Sequence, residues 1–126
     1  KAFSNGEIVR NATTGEWKTH NGMDIAGSVG DEIHAIGDGV VTELTHHELW
    51  GTIVTIDHYN GFTAKYSGLQ KEGTIQPGQE VKENQKIGVL GEIPIEKADG
   101  IHLQFELLKN GKFVSPTTYL GKEVEI

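Results

Sequence analysis

Two short segments place histidine beside residues that could join it in metal or acid–base chemistry. In the first, His20-Asn21-Gly22-Met23-Asp24, a histidine and a carboxylate lie close together in a stretch that contains glycine. Imidazole and carboxylate are both ordinary zinc ligands. The chain contains no cysteine, so histidine must supply any strong metal ligand. His20 and Asp24 are therefore candidate metal ligands.

The second segment, Ile101-His102-Leu103-Gln104-Phe105-Glu106-Leu107, alternates polar and apolar residues. Side chains of a β-strand alternate between the two faces of a sheet, so His102, Gln104 and Glu106 share one face. We expect the apolar face to pack in the core and the polar face to line a groove or meet solvent. Spacing alone is not specific and favours structural roles, with His20 in an exposed turn and His102 on a solvated strand.

The elements that must position these residues are strands. Stretches rich in Val, Ile, Phe and Thr alternate with Gly and Asn, which is typical of consecutive β-strands joined by tight turns. Asn60-Gly61 and Asn110-Gly111 each separate two such stretches and predict two-residue hairpin turns. Ser115-Pro116 predicts the start of one short terminal helical turn. The clearest strands are expected at residues 32–36, 39–44, 52–58, 62–67, 86–90 and 101–108.

Length and charge narrow the classes of function. A chain of 126 residues fits a single domain, 1–126. A net charge of −7 disfavours partners that are bound through phosphate neutralisation, so we expect no nucleic acid partner. The sequence contains no apolar run long enough to span a membrane and begins with Lys1. We expect a domain excised from a longer chain, with any membrane anchor in a segment outside it.

An ordered series of motifs runs along most of the chain. They are His20-x-x-x-Asp24-Ile25, Gly30-x-x-Ile33-x-Ala35, Asp38-Gly39-x-Val41, Val54-x-Ile56-Asp57-His58, Tyr66-x-x-Leu69, Gly78-Gln79-x-Val81, Gln85-x-Ile87-Gly88-x-x-Gly91, His102-Leu103-Gln104-Phe105-Glu106, Asn110-Gly111 and Pro116-x-x-Tyr119-Leu120. In this order the motifs resemble the M23 metallopeptidase family, also called LytM or lysostaphin-like domains. The resemblance implies a mainly β, antiparallel two-sheet fold with little helix and a groove whose floor holds zinc.

The sequence departs from the family at two functional positions. The resemblance makes His20 and Asp24 zinc ligands and His102 a catalytic residue, but the third zinc ligand, a histidine in active members, is replaced by Gln104. A second catalytic histidine, which stabilises the tetrahedral intermediate, is replaced by Gly68. An amide oxygen is a weak zinc donor, so we expect no zinc or only weakly bound zinc, with vestigial ligands. Glu106 is expected to be structural, as are the four remaining histidines, His34, His46, His47 and His58.

These departures favour a pseudoenzyme, a degenerate M23 domain that works as a protein-interaction module. Three further segments, Phe3-x-x-x-Glu7-Ile8-Val9-Arg10, Trp17-Lys18-Thr19-His20 and Lys65-Tyr66-Ser67-Gly68-Leu69, most resemble the stage II sporulation protein Q group within the family. That resemblance implies a sporulation role at a forespore–mother cell channel, in the intermembrane space and anchored in the forespore membrane. It implies a protein partner similar to stage III sporulation protein AH, with peptidoglycan as a possible second ligand.

Two alternatives remain open. One is an active zinc endopeptidase that cleaves peptidoglycan cross-links in the cell wall, with Gln104 or Glu106 as a weak third ligand. The other is a biotinyl or lipoyl carrier, since Pro77-Gly78-Gln79 and the segment 85–88 also suit such half-barrels.

Overall fold

The computed structural model describes residues 16–18, 23–48, 51–71, 75–91 and 102–114. All regular elements in these ranges are β-strands: β1 (Glu16–Lys18), β2 (Met23–Ala26), β3 (Glu32–His34), β4 (Gly39–His47), β5 (Gly51–Asp57), β6 (Phe62–Leu69), β7 (Glu80–Val81), β8 (Lys86–Val89), β9 (His102–Lys109) and β10 (Lys112–Val114). No helix able to cross a membrane is found in these ranges.

The strands form two antiparallel sheets, as the family resemblance implies. The larger sheet has the order β1-β2-β9-β6-β5-β4-β7, and β10 pairs with β9. The smaller sheet contains only β3 and β8, and one isolated bridge between Leu69 and Leu90 links it to the end of β6. The large sheet therefore provides a continuous surface at whose centre β5, β6 and β9 lie side by side.

The core covers one face of that surface. Alternate residues of β6 and β9 point into it, among them Ala64, Tyr66, Leu103 and Phe105. The two aromatic rings pack edge to face with centroids 5.2 Å apart. Because alternate side chains take this face, the intervening residues of β6 and β9 must point to the opposite side of the sheet.

Both predicted hairpin turns are present. Asn60 and Gly61 have φ values of 51° and 85°, and Asn110 and Gly111 have φ values of 53° and 83°. Two successive residues with positive φ match the twist of the flanking strands, and Asn followed by Gly adopts them most readily. The two turns contact each other, because the Asn110 amide donates to the Gly61 carbonyl at 2.8 Å.

The predicted strand bounds differ from the structure by one or two residues in most cases, and the end of β4 was predicted wrongly. The sequence placed His46 and His47 in a loop, whereas β4 continues through both and pairs them with Thr52 and Gly51 of β5. Pairing with β5, which local composition does not reveal, extends the strand. The short strands β1, β2 and β7 were not predicted, and the expected helical turn at 115–120 lies outside the described residues.

Candidate functional site

The predicted alternation along β9 is confirmed and defines the floor of the site. Leu103, Phe105 and Leu107 are fully buried, whereas Gln104 and Glu106 are only partly buried on the other face. This is the arrangement expected of a strand with one face in the core. The polar row of β9 therefore faces away from the core.

That face carries a groove of about 510 Å³. Strands β4, β5, β6 and β9 each contribute two residues to its lining, which consists of Glu43, Thr45, Ile53, Thr55, Lys65, Ser67, Gln104 and Glu106. The lining combines two carboxylates, one ammonium, one amide and three hydroxyls with a single aliphatic side chain. Such a surface favours a ligand with several hydrogen-bonding groups over an apolar one.

Strand register fixes the neighbours of each groove residue. Gln104 lies opposite Ser67 on one side and opposite Asp24 on the other. One step along the groove, Lys65 lies opposite Glu106 and opposite Thr55. The register thus brings Asp24 and Gln104, which are far apart in the sequence, to adjacent positions.

The described residues do not supply a zinc site. No group of three or more His, Asp or Glu side chains in the described part of the chain is placed to hold a metal ion. The position beside Asp24 is filled by the neutral amide of Gln104, and a catalytic zinc takes about three stronger protein ligands. His20 lies outside the described residues, as do the side chains of Asp24 and His102, so their predicted ligand and catalytic roles stay predictions.

Gly68 has a backbone conformation that restricts what can replace it. Between Ser67 and Leu69 the register with β5 shifts by one residue, so Gly68 is the extra residue of a β-bulge. Its φ is 102°, and its carbonyl accepts the Gly91 amide at 2.7 Å. A side chain at this φ is strained, so Gly68, where the resemblance predicts a lost histidine, has a backbone conformation suited to glycine.

A buried hydrogen-bond network supports the groove floor from below. His58 Nδ1 donates to the Asp38 carbonyl at 2.9 Å, and its Nε2 accepts the Tyr66 hydroxyl at 3.1 Å. The Tyr66 oxygen in turn accepts the Ile36 amide at 3.1 Å. This network joins β6 to the segment that precedes β4, which holds the strand carrying Lys65 and Ser67 in place.

Burial shifts the pKa values of both His58 and Tyr66. Desolvation lowers the pKa of His58 to about 4, against the opposing effects of the Asp38 carbonyl and the Asp57 charge. The same desolvation raises the pKa of Tyr66. A neutral imidazole with its proton on Nδ1 is required by both hydrogen bonds, so His58 is structural, as predicted.

Among the described residues, His34 and His46 make separate contacts on different strands. His34 Nε2 lies 3.0 Å from Glu32 Oε1 on β3, and His46 Nδ1 lies 3.0 Å from Thr52 Oγ1 at the far end of β4. Sequence reasoning missed the contributions of Thr55, Lys65 and Ser67 to the groove. These three residues alternate with apolar core residues along the predicted strands. The same alternation rule that was applied to β9 would therefore have placed them on the groove face.

The match to a family model decides the identity of the domain. Residues 18–116 match the model of Peptidase family M23. The chain belongs to peptidase family M23. The predicted two-sheet fold is that of solved M23 structures, including LytU, with a TM-score of 0.70 and 28% identity over 94% of this chain and 80% of that one.

Relatives of two kinds are similar to this M23 domain. Peptidoglycan DD-endopeptidase ShyC of Vibrio cholerae is 39% identical over 105 residues, which is 83% of this chain and 24% of that protein. Stage II sporulation protein Q of Bacillus subtilis is 30% identical over 105 residues, 82% of this chain and 37% of that protein. The chain therefore spans about a quarter to a third of these relatives.

The solved structures include the same sporulation relative. A chain in the SpoIIQ–SpoIIIAH pore-forming complex has a TM-score of 0.77 and 25% identity, over 97% of this chain and 82% of that chain. The resemblance to M23 domains, and to protein Q among them, is thereby confirmed.

Proposed function

We propose that this domain is a noncatalytic M23 domain that acts by binding a protein partner in sporulation. The observation that carries the proposal is Gln104, which occupies the position beside Asp24 in the register of β2 and β9. A catalytic zinc lowers the pKa of its bound water to about 7 only when strong ligands hold the ion in place. An amide in place of imidazole weakens that hold.

The binding surface in this proposal is the outer edge of β4. β7 pairs only with Gly39 and Val40, and backbone hydrogen bonds reach one residue further, to Val41. Within the described residues, no strand pairs with the outer side of residues 42–47. An unpaired strand edge offers amides and carbonyls that an extended segment of another chain can pair with.

The partner in this proposal resembles SpoIIIAH, and the domain acts outside the cytoplasm. The support is the similarity to protein Q and to its structure in complex with SpoIIIAH. A membrane segment outside this chain would anchor the domain in the forespore membrane. We also propose that residues 1–126 form a single domain.

Zinc content tests the noncatalytic part. Protein purified without chelator and dialysed at neutral pH should hold far less than one zinc per chain by elemental analysis. Gln104→His should raise the zinc content, because the residue already lines the groove. Gln70→His, at a half-buried glutamine outside the groove lining, is the matched control and should not. A full equivalent of zinc in the unaltered protein would contradict the proposal.

Proline substitutions test the edge. Each residue from 42 to 47 is replaced singly by Pro, and variants with a wild-type circular dichroism spectrum are titrated with a SpoIIIAH ectodomain. Because Pro lacks an amide donor, tolerated positions are those whose amides face outward, and these variants should bind weakly. Joint replacement of His20, Asp24 and His102 by Ala should leave the affinity nearly unchanged. Loss of affinity there, with edge variants unaffected, would move the interface to the groove.

The second candidate function is a peptidoglycan endopeptidase. Two observations support it. The domain has a polar groove on one face of its large sheet, and its 39% identity to ShyC exceeds its 30% identity to protein Q. Digestion of purified peptidoglycan that chelator abolishes and zinc restores would establish this function and refute the noncatalytic proposal. Binding without digestion would support peptidoglycan as a ligand only.

A further inference from the structure

The outer edge of β4 belongs to a strand whose two faces are assigned. Glu43 and Thr45 line the groove on one face, and Leu44 packs against the core on the other. From residue 43 to residue 47 the strand pairs with β5 without a register shift. Because faces alternate along a strand, His47 lies on the groove face and His46 on the core face. This assignment restricts how another strand can pair with the edge.

A second copy of the chain brings the same edge, and symmetry restricts its register. Two identical strands that pair antiparallel are related by a twofold axis perpendicular to the sheet, so the groove faces of both copies lie on one side. Side chains of directly opposite residues also point to one side. A groove-face residue can therefore pair only with a groove-face residue of the other copy, which excludes every second register.

The segment before β7 selects among the remaining registers. The carbonyl and the amide of Val41 are hydrogen-bonded to the segment 78–79, at 2.7 Å and 2.9 Å. The outer side of Val41 is therefore already paired. A register centred on Leu44 would bring the end of the other β4 to this residue. A register centred on Thr45 instead pairs residues 43–47 of both copies and leaves Val41 clear.

The register centred on Thr45 also brings complementary side chains together, because it places Glu43 of each copy opposite His47 of the other. The Thr45 hydroxyl donates to Glu43 Oε1 at 3.1 Å and holds the carboxylate at the edge. Imidazole has two ring nitrogens, so His47 can meet this carboxylate and keep the contact that it makes within its own chain. A register centred on Leu44 would instead make the two Glu43 carboxylates diagonal neighbours, and like charges across strands destabilise pairing.

We propose that the outer edge of β4 pairs with a second copy of this chain, antiparallel about Thr45, with Glu43 of each copy beside His47 of the other. The two large sheets then become one continuous sheet with both grooves on the same face. The self-pairing follows from the strand and its side chains alone. Its regulatory consequence rests on the proposed function: a self-paired edge is closed to the sporulation partner, so the two compete.

Sedimentation velocity of the domain alone tests the self-pairing. Over a concentration series the protein should shift from monomer to dimer and no further, since twofold pairing leaves neither edge open. His47→Glu places carboxylates opposite each other and should raise the dissociation constant about tenfold or more. Adding Glu43→Lys to this variant should restore dimerisation. Residues 43 and 47 lie about 13 Å apart on one strand, so the rescue reports contact between copies. Lys86→Glu, at an exposed lysine of the smaller sheet, is the charge control and should change nothing.

A disulfide reads the register directly. The chain contains no cysteine, so Thr45→Cys puts a single thiol beside the twofold axis. The Cα atoms of opposite residues in an antiparallel pair are about 4.5–5.5 Å apart, a separation that a disulfide spans. Oxidation should therefore link two copies of Thr45→Cys. Thr42→Cys is the matched control on the same edge and should stay unlinked, because this register places its two thiols about 20 Å apart.

Three results would overturn the self-pairing. The first is a protein that stays monomeric at about 1 mM, the effective concentration that tethered modules reach. The second is a His47→Glu defect that Glu43→Lys leaves unrepaired. The third is equal disulfide formation in Thr42→Cys and Thr45→Cys. Circular dichroism and the melting temperature are recorded for each variant, and the disulfide pair keeps the test decisive where a charge variant unfolds.

The competition is tested separately with the linked Thr45→Cys dimer. A SpoIIIAH ectodomain should bind its reduced form and not its oxidised form. Equal binding by both forms would refute the competition and move the partner to another surface. No binding by either form would contradict the proposed function, while sedimentation of the domain alone would still decide the self-pairing.

Discussion

Buried His58 should make the stability of the domain depend on pH in a defined window. Its pKa is lowered from 6.5 to about 4 by burial. Protonation would remove the acceptor for the Tyr66 hydroxyl and place a charge in the core. The folded state therefore favours neutral His58, and this contribution to stability is fully present above pH 6.5. It is lost as the pH falls from 6.5 through about 4.

The magnitude follows from the size of the shift. One pKa unit corresponds to about 1.4 kcal/mol, so a shift of this size contributes roughly 3 kcal/mol to the free energy of unfolding. Between the two pKa values, stability should rise by about 1.4 kcal/mol per pH unit. Below the folded-state pKa, His58 no longer contributes to stability, and it no longer makes the free energy of unfolding depend on pH.

Urea unfolding from pH 7.5 to 4.5 measures this, with His58→Gln as the variant. Acidic residues titrate in both proteins, so the difference between the two stability curves isolates His58. The difference should shrink by most of 3 kcal/mol across this range. His47→Gln, at an exposed histidine of β4, is the control. The free energy of unfolding of this variant should change with pH as that of the unaltered protein does. A wild-type minus His58→Gln difference that is independent of pH, or that grows on acidification, would refute the reasoning.

Two further predictions concern substitutions in β6. Tyr66→Phe removes the donor to His58 and leaves the Ile36 amide without its acceptor. It should lower the free energy of unfolding by about 1–3 kcal/mol in urea melts, with the circular dichroism spectrum unchanged. Unaltered stability would show that the network does not contribute to folding. Gly68→His should destabilise the fold by about 1–3 kcal/mol, because φ there is 102°. Gly68→His, at the position where a lost histidine is predicted, should therefore give little hydrolytic activity even when combined with Gln104→His. Efficient peptidoglycan hydrolysis by this double variant at wild-type stability would contradict this.

The sequence determined six of the strands, the two hairpin turns and the buried face of β9. Alternation from Leu103 to Leu107 fixes which side chains are buried, since a strand has a period of two whatever surrounds it. Asn followed by Gly fixes the two tight turns for an equally local reason. The family also follows from the sequence, because its motifs keep their order along the chain.

Tertiary structure decided everything that depends on long-range pairing. Only the register of β2, β6 and β9 brings Asp24, Gln104 and Ser67 into line, and no local preference encodes which strands become neighbours. β4 reaches His47 because β5 pairs with it there, and Gly68 has a positive φ because a bulge falls at that residue. Thr55 and Ser67 become buried in the groove lining only because neighbouring strands pair beside them. Pairing between distant segments is a property of the folded chain, and the groove and its donors arise from it.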